Sequence, residues 1–151
     1  MTRITPIARI LLGLAFTTFS LNYFLHFLPA PSAPPPAAAL AFLGVFVSSG
    51  FLTLVKVFEL AAGLLLLSNR FVPLAATLLA PILVGITAFH LLLEPAGLGI
   101  VLVLVALELV VAFGYRAAFA PMLRAKVSPA VPSAPALGTL RPLERDGSIA
   151  G

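Results

Sequence analysis

Lys56 and Glu59 stand three residues apart inside LTLVKVFELAAGLLLL, residues 52–67, a run that is otherwise almost wholly apolar. Side chains three or four apart share one face of a helix. A base and an acid so placed form either a structural ion pair or the start of a binding or proton-relay site. Glu108 is a third ionisable group inside an apolar run, LGIVLVLVALELVVAFGY. His90 and Glu94 are four apart, and a carboxylate one turn from an imidazole can orient it and raise its basicity. Thr18, Asn22 and His26 are also spaced by four. Two histidines on different helices could ligate haem, and His with Glu could hold a divalent metal, but no further ligand supports either. No metal site is therefore expected, and haem is disfavoured. Asn22 reads first as a contact between helices and His26 as an interfacial group bonded to loop carbonyls.

The elements that must position these groups follow from composition. Of 151 residues, 61% are hydrophobic and 9% charged. Soluble domains carry about 25% charged residues, so a fold with this few charges cannot cover its core with polar surface. The long apolar runs assign the chain to the integral membrane proteins. Cysteine is absent, which excludes disulfides, thiolate metal sites and cysteine nucleophiles. The net charge of +4 is no sign of nucleic-acid binding, because the basic residues are scattered near span ends and along the tail.

The pattern predicts an all-α membrane protein, a four-helix bundle over residues 1–120. Its spans are expected at about 4–28, 50–67, 71–94 and 98–115. The first apolar run is too long for a signal peptide, whose core spans roughly 7–15 residues. PAPSAPPP, residues 29–36, cannot be helical. Residues 37–49 are apolar but too short to cross, and predict a short extra helix, interfacial or partly inserted. Pro81 is expected to kink the third span. From residue 121 to 151, prolines and small residues predict a disordered tail.

Arg3, Arg9, Arg70, Arg116, Arg124 and Lys126 all fall on one side of this arrangement, and the opposite loops hold no Lys or Arg. This positive-inside pattern puts both termini in the cytoplasm of a bacterial cell, with the spans in its cytoplasmic (inner) membrane. At about 1.5 Å per residue, Lys56 lies roughly 9 Å, Glu59 roughly 13 Å and Glu108 roughly 15 Å below the outer ends of their spans. Asn22, His26, His90 and Glu94 lie near the outer surface. All seven groups are thus expected to meet in the outer half of the bundle. Facing lipid alone, each charge would cost about 2.5–3.5 kcal/mol. They must pair, face inward, reach water or sit neutral. Lys56 is the natural partner of Glu59 or Glu108, and Gly63, on the same face, lets a neighbouring helix approach closely.

LVKVFELAAGLLLLSNRFVPLAATLLAPILVGITAFHLLLEPAGLG, together with RILLGLAFTTFSLNYF, resembles the DoxX family of small bacterial membrane proteins. The motifs KVFELAAGLLLL, PLAATLLAP and AFHLLLEP carry the likeness, which covers residues 8 to about 115. Glu94 stands where the family often has aspartate before the proline. The resemblance implies a four-helix membrane bundle associated with quinol oxidation, thiosulfate:quinone oxidoreduction or redox complexes. No catalytic residue transfers with it.

The resulting expectation is an accessory or quinone-contacting subunit of a membrane redox system, with a polar pocket in the outer half. Its partners would be the lipid bilayer, redox-complex subunits and further copies of itself, with no nucleic acid. An assembly protein with a purely structural polar core is one alternative, and a small-solute or proton-coupled transporter is another.

Overall fold

The computed structural model describes residues 3–29 and 34–128. Every regular element among them is helical: α1 (Ile4–Leu25), α2 (Ala37–Ser48), α3 (Phe51–Leu67), α4 (Val72–Leu92), α5 (Leu98–Gly114) and the short α6 (Arg116–Phe119). A single 3-10 turn, Pro95–Gly97, leads into α5. α1 packs against α3 and α5, and α4 packs against the same two helices. α2 touches chiefly α3. Three helical stretches are long and apolar enough to cross a membrane, and a fourth if the bent pair α2 and α3 counts as one span. The chain is therefore a candidate multi-pass membrane protein. Residues 129–151, most of the expected tail, lie outside the described residues; residues 121–128 form no helix.

Burial follows the helical period. The inward stripe of α1 is Ala8, Leu12, Phe16 and Ser20, and that of α5 is Val101, Leu104, Glu108 and Val111. α3 turns Glu59, Ala62, Gly63 and Leu66 inward, and α4 turns Val72, Ala75, Ala76, Leu79 and Leu83. The outward faces carry large apolar side chains such as Leu14, Leu54, Leu74, Val84 and Leu102, as a lipid-facing surface requires.

Glycine sets how closely the helices approach. A Cβ on Gly63 would fall 2.6 Å from Thr17 Oγ1 and 3.1 Å from the Gly13 carbonyl, and one on Gly13 would fall 3.1 Å from the Gly63 carbonyl. α1 and α3 thus touch backbone to backbone, the small-residue crossing expected of Gly63. Below this crossing, the buried Arg9 of α1 donates from Nη1 to the Leu66 carbonyl, with the Leu67 carbonyl 3.5 Å away. Those carbonyls belong to the last turn of α3, where a cation satisfies orphan acceptors and complements the helix dipole. Arg9 is therefore more than a marker of topology.

Two expectations need correction. The first helix ends at Leu25 rather than residue 28, because His26 takes a left-handed conformation (φ 51°) and the Asn22 side chain accepts the Leu28 amide at 2.7 Å. Pro81, expected to kink its span, lies inside α4, which runs on to Leu92. The inward face of α1 is not the Thr18–Asn22–His26 stripe: Thr18 and His26 are exposed, and the buried line passes through Ser20.

Candidate functional site

A cavity of about 760 Å³ lies between α1, α2, α3, α4 and α5. Its wall is mostly aromatic and aliphatic, with Asn22, Tyr23, Lys56, Glu59 and His90 as its polar members. Cavities of roughly 300–1,000 Å³ with few polar groups are the usual form of small-molecule sites.

The first polar cluster belongs to α3. Lys56 Nζ lies 2.7 Å from Glu59 Oε2, and the Ser20 hydroxyl of α1 donates to the same oxygen at 3.2 Å. Glu59 is only 2% exposed. The pairing keeps its charge compensated in an apolar setting, where an isolated carboxylate would be costly. Lys56 has three N–H donors and uses one on Glu59, so two remain. A second link between α1 and α3 joins the hydroxyls of Tyr23 and Thr53 at 2.7 Å.

The second cluster belongs to the end of α4. His90 Nδ1 lies 2.8 Å from Glu94 Oε2 and 2.8 Å from the Glu94 carbonyl. Both partners are acceptors, so Nδ1 carries the hydrogen, and Nε2 presents a lone pair whenever the ring is neutral. The imidazole packs on the backbone of Gly97, whose missing side chain leaves room for it. The helix end, the carboxylate and the glycine turn together fix one rotamer and one tautomer. Glu94 itself does not line the cavity; it acts through His90.

The seven expected site residues are thus not all together. Asn22, Lys56, Glu59 and His90 share the cavity wall. His26 is exposed at the end of α1 and lies outside that wall. Glu108 is also outside that wall. It sits one turn along α5 from Leu104, which forms part of the wall. Its Oε2 is buried with no hydrogen-bond partner, so it pairs with neither Lys56 nor any other described group.

Ser20, Tyr23, Thr53 and Gly97 were not anticipated. The line Ala8–Leu12–Phe16–Ser20, ending in a hydroxyl, could have indicated Ser20. Nothing local distinguishes Gly97 from an ordinary turn glycine. Among the described residues, no three His, Asp or Glu side chains gather as a metal site would require. Comparison with protein families, with curated proteins and with solved structures finds no match to this chain.

Proposed function

We propose that the chain is a DoxX-like four-span bundle of the bacterial cytoplasmic membrane, with both termini cytoplasmic, whose cavity binds a quinone or quinol as part of a membrane redox system. The observation that carries this reading is the chemistry of the cavity wall. Lys56 is balanced by Glu59 and His90 is held by Glu94, so the paired groups favour a neutral ligand over an ion. The remaining N–H groups of Lys56 and the amide NH₂ of Asn22, whose oxygen is already taken by the Leu28 amide, can donate to carbonyls. Nε2 of His90 can accept the hydrogen of a hydroxyl. Apolar walls then take the ring and the beginning of a tail. One wall therefore has partners for both the carbonyl and the hydroxyl form of such a ligand. The residues quoted for the DoxX resemblance include Lys56, Glu59, His90 and Glu94, which adds to the same reading.

Titration of the purified protein with decylubiquinone tests it. Saturable binding, weakened at least tenfold in His90→Ala, is the expected result. No binding, or the same affinity in His90→Ala, rules the reading out.

A second reading is an assembly protein with a purely structural polar core. It is favoured by the way Ser20, Lys56 and Glu59 satisfy one another across the α1–α3 contact. Partner capture that survives Lys56→Met with Glu59→Leu in a folded protein would support it over the ligand site.

A further inference from the structure

α2 forms a wall of the cavity through Phe42, Leu43 and Phe46. None of its 12 residues is charged, and its only hydroxyl is Ser48 at the last position. A helix lying in the headgroup layer needs a polar face toward water, and α2 has none. Of the two placements expected for residues 37–49, interfacial or partly inserted, its composition suits the second.

Helix lengths give its depth. α3 has 17 residues and α4 has 21, so they rise about 26 Å and about 32 Å. Both are tied to the same tight turn, residues 68–71, so α3 stops about one turn short of the outer end of α4. From that point α2 departs at 81° to α3. The Phe42 ring meets Phe89, three residues before the end of α4, with centroids 5.7 Å apart. Length and contact agree that α2 lies inside a hydrocarbon layer of about 30 Å, beneath the headgroups.

The rim of the cavity has the same character. The exposed residues of its wall are Phe19, Phe42, Phe51, Pro81, Gly85 and Ile100, all without polar side chains. Asn22, Lys56, Glu59 and His90 are the more sheltered members. A mouth facing water would carry polar groups; this one matches lipid. α2 is also lightly held. Ala39 is its only buried residue, and Gly50 at φ 76° supplies a pivot that other residues adopt only with strain. The Phe42–Phe89 and Phe46–Phe51 ring contacts keep it against the opening.

The geometry points to α2 as a lateral gate, past which a neutral amphiphile dissolved in the outer leaflet enters the cavity head first. The head reaches Lys56 and His90, and the hydrocarbon tail trails over the apolar rim into lipid. What enters rests on the ligand reading above; the route rests on the placement of α2 alone.

The chain has no cysteine, so introduced thiols are unique. A nitroxide on Val45→Cys, on the exposed face of α2, would be measured in phosphatidylethanolamine–phosphatidylglycerol nanodiscs. Relaxation dominated by oxygen rather than by a water-soluble nickel chelate is expected. Dominance of the chelate overturns the gate, as does protection from both agents, which would mean that protein covers α2. In a second experiment, Phe42→Cys with Phe89→Cys is bridged by a short bis-methanethiosulfonate reagent. Decylubiquinone should then associate at least tenfold more slowly than in the reduced form of the same variant. Equal rates overturn the gate. A wild-type chain that fails to bind the quinone overturns the ligand assignment, and the nitroxide measurement then decides the placement of α2 independently.

Discussion

The imidazole of His90 occupies the space into which any side chain at Gly97 would project. The glycine is not there for backbone freedom, since its φ of −82° is open to every residue. It is there because the ring needs its place. Gly97→Ala should therefore push His90 away from Glu94 while leaving the turn intact. Decylubiquinone affinity is expected to fall at least tenfold, close to the loss in His90→Ala. The cost in stability should be about 1–3 kcal/mol, read from thermal unfolding in detergent.

Lys56 and Glu59 should be coupled. Lys56→Met leaves Glu59 buried with Ser20 as its only partner among the described residues, and breaking a buried pair in this way costs about 3–5 kcal/mol. Lys56→Met combined with Glu59→Leu removes both charges and should recover most of that loss. A double-mutant cycle in unfolding free energy measures the coupling. Simple additivity of the two changes would mean that the pair does not act as a unit.

Glu108 should behave in the opposite way. Its Oε2 has no partner among the described residues, and a buried unsatisfied polar group costs about 1–3 kcal/mol. Glu108→Met, of similar volume, is expected to raise the unfolding temperature and to leave decylubiquinone affinity unchanged. A loss of affinity would bring Glu108 into the site.

The helix crossing offers a steric contrast. Gly63→Ala places a methyl group 2.9 Å from the Thr17 backbone nitrogen and must separate α1 from α3, at about 1–3 kcal/mol. Gly99→Ala meets nothing within 4 Å and should be close to neutral. Comparing the two by thermal unfolding isolates the contact from helix propensity.

How much of this was legible in the sequence depended on the range of the interaction. The Lys56–Glu59 pair, the His90–Glu94 pair and the close approach at Gly63 are local in sequence or follow from residue size, and all three could be read directly. The surroundings of Glu108 could not, because they depend on how α5 packs against the other helices, which leaves its carboxyl off the cavity wall. The inward face of α1 is hidden from the sequence for a related reason. Thr18, Asn22 and His26 are the more polar stripe, yet packing selects Ala8, Leu12, Phe16 and Ser20, whose small and apolar side chains fit the neighbouring helices. Arg9 looked like a topology signal because its acceptor, the last turn of α3, lies 57 residues away. Gly97 and His90 meet only when the turn closes.

The central claim is that a neutral quinone occupies the cavity with its head at Lys56 and His90. Photolabelling in nanodiscs with an azidoquinone, followed by mass-spectrometric mapping, tests it most directly. The account predicts label on the wall residues of α1, α3 and α4, displaced by excess decylubiquinone and reduced in His90→Ala. Label confined to the outward faces of the helices, or label that decylubiquinone fails to displace, would contradict it.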